Sequence, residues 1–307
     1  MTDPQVTVVV PSRDRPEALA ACLAALADQT LPDVEVVVVD DASRDRAAVA
    51  AVAAEAGVRL VRADGRGPAA ARNRGAADAS SPLLAFTDDD CRPDPGWLAA
   101  LVQRLDGGAA VVAGPTRNAQ PGDPLAAASQ AVTNHLVDST LDAGTVAFAP
   151  TSNLAMRAEV HRDLPFDETF PLAAGEDRDW CARVVASGRR IEFEPTAVVD
   201  HHQDLTLARF WRQHQRYGAA RTGTVAASSP RASTRAWCAA ASPRASGPAR
   251  WSWSPRPPRP RASPRRRSPP AARARRGGGG GRRPCRPGRR RRGRRRWRRC
   301  PPASAAA

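Results

Sequence analysis

Lysine is absent from the 307-residue chain, so the 47 basic side chains are all arginine. That absence removes mechanisms resting on an ammonium group: Schiff-base catalysis, a Walker A phosphate loop and a phosphorelay receiver site. No run of about 18 apolar residues occurs, so no transmembrane helix is expected. Cysteines stand at 22, 91, 181, 238, 285 and 300 without a C-x-x-C pair, which excludes a zinc ribbon and a dithiol redox motif. The opening residues MTDPQVTVVVPS have no basic segment before their short apolar run, so they do not read as a secretory signal. Buried free thiols in a reducing cytoplasm are the expected state. Acids are missing altogether from residues 222–307, as are Leu, Ile, Met, Phe and Tyr. Such a segment cannot bury enough apolar surface to offset its conformational entropy. The expected division is therefore a folded domain over 1–220 and a disordered Arg/Pro/Gly-rich tail over 221–307. Charge divides the same way: residues 1–221 hold 22 Arg against all 31 acids, and the other 25 Arg follow.

What is present in the first half is a regular alternation. Val6 to Val10 is a β-branched run suited to a strand buried on both faces. Pro16 and Glu17 open an Ala/Leu-rich helix to about Asp28, Pro being well placed in a first turn. Val34 to Val39 is a second strand ending in Asp40-Asp41. Ser43 or Asp45 can cap a helix over 46–56 that stops at Gly57. A short strand follows at 58–62, a helix from Pro68 to Ala77, and a strand from Leu83 to Thr87 that runs into Asp88-Asp89-Asp90. This pattern predicts an α/β fold with a mostly parallel central sheet flanked by helices. Ligands then bind beyond the carboxyl ends of the strands, where both acidic clusters lie. The second half is less regular. Helices are expected over 97–105, 124–137, 176–187 and 205–217, and strands over 109–114, 145–149, 191–193 and 197–199.

Each cluster has a chemical and an ordinary reading. Three adjacent carboxylates at 88–90 repel one another unless a cation or donors compensate. Asp88 and Asp90, two apart in an extended segment, would point the same way and suit Mg²⁺ or Mn²⁺ with substrate phosphates. A solvated acidic loop that caps the next helix explains them equally well. Asp40 and Asp41 could accept from a nucleobase or ribose, though on their own they are more often caps. Gly65-Arg66-Gly67-Pro68-Ala69-Ala70 loosely matches a dinucleotide turn but follows the third strand rather than the first, and Arg72 and Arg74 stand just beyond it. Glu176, Asp177 and Asp179 either complement a helix dipole or supply a general base with a raised pKa. His201 and His202 are metal ligands or surface residues.

Together these stretches resemble the family 2 glycosyltransferases, which have the GT-A fold. The matching pieces are VTVVVPSRDRPEALAACLAALADQT, VEVVVVDDAS, GPAAARNRGAADA, PLLAFTDDDCRPDPGWL, TSNLAMRAEV and GEDRDWCARVVASG, in the family's order across residues 5 to about 217. The resemblance implies that Pro11, Arg13 and Asp41 line the nucleotide pocket, with Asp40 beside them. Arg72 would approach the donor's sugar or phosphate. Asp88, Asp89 and Asp90 correspond to the DxD motif, Asp88 near the ribose and Asp90 on the metal, with Asp88 and His201 as further metal-site candidates. Asp177 corresponds to the catalytic base of inverting members. The implied reaction moves a sugar from a nucleotide diphosphate sugar to a hydroxyl acceptor, a glycan, lipid carrier or small molecule. The diphosphate leaving group needs a divalent cation, Mn²⁺ or Mg²⁺, and the acceptor hydroxyl needs a carboxylate to take its proton.

After Tyr217-Gly218 the resemblance ends, and Arg, Pro, Ala, Gly and Ser dominate. Residues with G/C-rich codons on this scale read as an out-of-frame translation. Two competing readings have sequence support. The Arg-rich tail could bind polyanions, but no folded nucleic-acid reader accompanies it, so no specific nucleic-acid partner is expected. A nucleotidyltransferase uses metal-binding Asp on a similar sheet, but the loop Pro11-Ser12-Arg13-Asp14-Arg15 lacks the glycines such enzymes carry there. The expected location is cytoplasmic, with peripheral association at the inner face of the membrane.

Overall fold

The computed structural model describes residues 3–170, 172 and 174–221. The disorder and reading-frame expectations for residues 222–307 lie outside the described residues.

The first strand, β1 (Val6–Ser12), is buried along its whole length and pairs in parallel with β2 (Val34–Asp41) on one side and β4 (Leu83–Phe86) on the other. β3 (Arg59–Ala63) extends the sheet beyond β2. Double-sided burial explains the unbroken valine runs, because each strand faces helices above and below. The side chains sort by parity. Val8, Val10, Val36 and Val38 pack with Leu19, Trp97 and Leu101 on one face. Val9, Val37 and Val39 pack with Phe86, Phe166 and Trp180 on the other.

Helix α1 (Pro16–Ala27) follows β1, and α2 (Arg46–Ala56) follows β2. Asp45 caps α2 by accepting the Ala48 N–H at 2.9 Å, and Gly57 closes it at φ 71°. Helix α3 (Pro68–Ala77) lies tight against β1 and β2 through Gly75, where a Cβ would come within 2.4 Å of Val9 Cγ1. Strand order runs β3-β2-β1-β4 and then continues with β9 (Leu154–Arg157), β6 (Val111–Ala113), β10 (Ile191–Phe193) and β8 (Thr145–Val146). The connection reverses direction between β1 and β4, which opens a crevice at their carboxyl ends.

Three short strands make a second sheet, β5 (Cys91–Pro93), β11 (Val199–His201) and β7 (Thr116–Asn118), in the order β5-β11-β7. Asn153, fully buried in the turn before β9, ties this sheet to the larger one. Its Nδ2 donates to Pro115 O at 3.0 Å and Ala197 O at 2.8 Å, while its Oδ1 accepts the Trp97 Nε1–H at 2.8 Å. The remaining helices are α4 (Trp97–Asp106), α5 (Pro124–Asp138), α6 (Ala158–Asp163), α7 (Glu176–Ala186) and α8 (Leu207–Arg221).

The α/β fold with a mostly parallel central sheet is as the sequence implied, and differences cluster in the second half. β11 occupies 199–201 rather than 197–199, β8 is two residues long, α8 starts at 207 and continues to 221, and β5, β7 and α6 were not anticipated. Strands of three residues carry no readable period, and pairing with distant partners decides them. One difference touches the site. β4 ends at Phe86, and residues 88–91 form a turn in which Cys91 N–H donates to Asp88 O at 3.0 Å. The extended geometry expected for Asp88 and Asp90 is therefore replaced by a turn.

Candidate active site

The carboxyl ends of β1, β2 and β4 deliver three groups of side chains to the crevice. Pro11 lies near the end of β1, with Arg13 just beyond it. Arg13 stands 3.8 Å from Asp41, and Asp41 accepts the Gly67 N–H at 3.1 Å where α3 begins. The other oxygen of Asp41, Oδ1, is buried without a hydrogen-bond partner. A desolvated carboxylate oxygen is costly unless a ligand donates to it. Asp40 faces inward, fully buried. It accepts from Arg62 and from the Ser43 N–H at 2.9 Å, so it braces the loop after β2 rather than presenting an oxygen to the crevice. Neither acid caps α2. Asp14 (φ 55°) and Ala42 (φ 58°) both adopt the left-handed region, one beside each strand end that borders the crevice.

The turn after β4 divides its three acids between two arginines, Arg72 for Asp88 and Arg15 for Asp89 and Asp90. Asp88 pairs with Arg72 at 2.8 Å. Asp89 is fully buried against Arg15 at 2.6 Å. Asp90 pairs with Arg15 at 2.7 Å and faces His201 Nε2 at 3.5 Å. His201 arrives there because β11 pairs antiparallel with β5, placing His201 opposite Cys91. His202 belongs to no comparable ligand cluster among the described residues, and its pKa falls below the ordinary histidine value through burial. Burial raises the Asp89 carboxyl against the pull of Arg15. Burial acts in the same direction on Asp90, but the His201 hydrogen bond and the charges of His201 and Arg15 outweigh it and hold Asp90 below the usual range.

Arg72 is buried and its guanidinium bridges two acidic clusters, donating to Asp88 and, at 3.2 Å, to Glu176. This bridge brings the first turn of α7 to the crevice. Asp177, next to Glu176, is half-buried. Burial, reinforced by the Glu176 charge, pushes its carboxyl up to about 7. A cavity of about 120 Å³ opens beside this bridge, lined by Arg72, Asp88, Asp177 and His201 together with Phe148 and Tyr217, while Pro11, Arg13, Asp41 and Asp90 lie outside its lining. A larger, open groove of about 1210 Å³ runs along α3 and α6, but none of the sequence-predicted site residues lines it. Four of the sequence-predicted site residues, Arg72, Asp88, Asp177 and His201, gather instead at the smaller cavity.

Asp90, Cys91 and His201 offer ligand atoms within 4.8 Å of one another. The Cys91 thiol is raised well above its usual pKa by burial, so it stays protonated and is a poor ligand. What remains is a carboxylate and an imidazole, an oxygen–nitrogen pair that fits Mn²⁺ or Mg²⁺ completed by phosphate oxygens better than a thiolate metal. Arg15 and Gln130 have site contacts that the sequence did not assign, and Glu176, named there only as a member of the acidic cluster, pairs with Arg72. For Arg15 a signal existed, since Arg13 and Arg15 flank an acid directly after a strand that ends at the crevice.

The sequence profile of the glycosyl transferase family 2 matches residues 7–164. A pre-mycofactocin glycosyltransferase of Mycobacterium tuberculosis is 31% identical over 227 residues, covering 69% of this chain and 46% of that protein. Glycosyltransferase AglE of Haloferax volcanii is 32% identical over 209 residues, covering 65% of this chain and 67% of that protein. Among solved structures, the mannosyltransferase PcManGT from Pyrobaculum calidifontis, in complex with GDP-Man and Mn²⁺, superposes with a TM-score of 0.57. It is 23% identical, over 75% of this chain and 67% of that one. S. aureus TarS 1-349 superposes with a TM-score of 0.53 at 18% identity, over 71% of this chain and 72% of that one. The fold is that of the GT-A glycosyltransferases. The chain belongs to glycosyl transferase family 2. It spans about half the length of the mycobacterial relative.

Proposed function

We propose that this protein is an inverting glycosyltransferase that moves a sugar from a nucleotide diphosphate sugar to a hydroxyl acceptor. The observation that carries this reading is the meeting of two acidic clusters at one cavity, with Asp90 held ionised and Asp177 raised to about 7. Pairs of carboxylates driven apart in this way take different roles. Asp177 takes the proton from the acceptor hydroxyl as it attacks, and a base with a pKa near 7 suits that transfer. Asp90 and His201 would hold the cation, with Asp88 beside them. Bound there, Mn²⁺ or Mg²⁺ offsets charge on the leaving diphosphate. The Mn²⁺ and GDP-Man in PcManGT, and the UDP bound by TarS, favour a cation and a nucleotide-linked donor here too.

Asp41 uses its unpartnered oxygen to accept from the nucleotide, with Pro11 and Arg13 forming the wall beside it. Asp40, Asp89 and Arg72 hold the surrounding loops in register from behind. The catalytic domain is bounded at about residue 220. A cytoplasmic location agrees with the free, buried thiols of Cys22, Cys91 and Cys181. No described helix is long and apolar enough to cross a membrane. α8 nonetheless exposes Leu207 and Trp211 among arginines, a surface suited to peripheral contact with an anionic membrane.

The test is a panel of nucleotide diphosphate sugars screened for thermal stabilisation of the chain with Mn²⁺ and with chelator. A donor that stabilises only with Mn²⁺, and is turned over to free nucleoside diphosphate and a product of inverted anomeric configuration, is the expected result. Release of pyrophosphate, or retention of configuration, overturns the reading.

A further inference from the structure

Asn73 stands next to Arg72 in α3 and turns its whole amide toward the stretch that follows α6. Its Nδ2 donates to the Phe166 carbonyl at 2.9 Å and to Glu168 Oε1 at 3.0 Å. Its Oδ1 accepts the Phe166 N–H at 3.0 Å and faces His161 Nε2 at 3.0 Å. The Phe166 backbone fixes which way the amide points, because its N–H can only donate and its carbonyl can only accept. Residues 164–168 lie in neither helix nor strand, and these two bonds give them the register a strand partner would supply. The start of α7 rests on this stretch. Phe166, buried, packs its ring 5.4 Å from that of Trp180, and the Trp180 Nε1–H donates to the Leu164 carbonyl at 2.7 Å. Trp180 follows Asp177 within one turn of the same helix. Two adjacent residues of α3 therefore hold the start of α7, Arg72 directly through Glu176 and Asn73 through the seat under Trp180.

We propose that Asn73 is a positioning residue for Asp177: it fixes the 164–168 seat on which Trp180 packs, and so sets where the first turn of α7 meets the cavity. This role rests on the reading that Asp177 takes the acceptor proton, and it adds the group that holds that carboxylate in place. The ring contacts of Phe166 with Trp180 and Phe86 are non-directional and leave the stretch free to slide, whereas paired hydrogen bonds to one backbone residue do not. Attack on the donor has little tolerance for sliding, since a misplacement of about 1 Å costs on the order of 10²-fold in rate. The donor side is held independently. Asp41 accepts the Gly67 N–H from the turn before α3, and Pro11 and Arg13 come from the end of β1.

The experiment has two readouts on the full chain. The first, without ligand, is hydrogen–deuterium exchange of peptides covering 164–180, with β1 and β2 as reference. The second is kcat and KM for the nucleotide sugar that the donor panel selects. Asn73→Ala should speed exchange over 164–180 and leave β1 and β2 unchanged. It should lower kcat on the order of 10²-fold, with donor KM within a few-fold of wild type. Asn73→Asp keeps the side-chain volume but sets a second carboxylate against Glu168, and it should lose kcat on the same scale. Adding Glu168→Gln supplies an N–H to the new carboxylate at position 73, and the double variant should recover part of that loss. If Asn73→Ala does not fold, this isosteric pair decides. Asp45→Ala, which removes the α2 cap, controls for lost stability and should keep kcat. Unchanged exchange or unchanged kcat in Asn73→Ala overturns the proposal, as does a donor KM that changes as much as kcat. Absence of recovery in the double variant, or an equal fall of kcat in Asp45→Ala, overturns it too. Wild-type turnover in Asp177→Asn instead overturns the base assignment, and the exchange readout, which needs no substrate, stays separate from that failure.

Discussion

Asp90 and Asp177 are the two principal acids of the proposed site, yet they reach it by different routes and are driven in opposite directions. Asp90 sits in the turn that closes β4, with Arg15 at 2.7 Å and His201 at 3.5 Å to hold its charge. Asp177 sits in the first turn of α7 beside a second acid, and its carboxyl rises to about 7 through burial and Glu176. The dipole of α7 favours the charged form of an N-terminal acid by only about 0.3–1 kcal/mol. That is too small to offset removal from water. The strand-end acid, surrounded by cations, is a fixed charge suited to a ligand sphere. The helix-start acid has Arg72 and Arg178 nearby, yet burial and Glu176 outweigh them and raise its carboxyl toward neutrality.

The comparison breaks most visibly at Asp177. Asp177→Asn should lower kcat by about 10²–10⁴-fold while leaving donor affinity nearly intact, read by steady-state kinetics and donor titration. The same variant carries a stability effect of definite sign. Between the ordinary carboxylate pKa and about 7, the folded chain holds a proton at Asp177 that the unfolded chain has released. Wild-type stability therefore falls as pH rises through that window. The Asn variant lacks this loss, so its gain in Tm over wild type should be larger at pH 8 than at pH 5. A variant with wild-type turnover, or a Tm difference independent of pH, would make Asp177 an ordinary helix-start acid.

The opposite outcome is expected at Asp90. Asp90→Ala should weaken nucleoside diphosphate binding on the order of 10²-fold in Mn²⁺, the scale on which a cation stabilises diphosphate charge. Its affinity in chelator should match that of wild type, as measured by calorimetry in the two buffers. The smallest effect lies outside both clusters. Asp45→Ala removes the α2 cap and should cost about 1 kcal/mol, or roughly 2–4 °C in Tm, with kcat and KM unchanged. A kinetic effect there would mean that the loop after β2 transmits more to the crevice than Asp40 and Asp41 do.

Local pattern made one half of this molecule legible. The valine runs at 6–10 and 34–39, the Pro16 and Pro68 helix starts, the Asp45 cap and the Gly57 stop all appear where the chain's own chemistry places them. These are short-range preferences that neighbours in sequence satisfy. Asp40 and Asp41 were likewise placed at the end of β2, and Asp88 to Asp90 just beyond β4, because charge marks where an apolar run buried on both faces gives out. Their partners were not legible. Asp40 turns inward to Arg62, and Asp89 turns inward to Arg15.

By itself the sequence determined the parallel half of the sheet, the family and the existence of two separate acidic clusters. Periodicity, capping chemistry and motif order are all written in adjacent residues. Only the tertiary structure decided what those clusters do to each other. Arg72 joins Asp88 to Glu176 across the cavity, β11 pairs with β5 to set His201 beside Asp90, and Gln130 reaches His201 from α5. Three-residue strands and single buried hydrogen bonds carry no periodic signal. Their energy comes from partners tens of residues away, and from the burial that makes an unpaired charge too costly to leave alone.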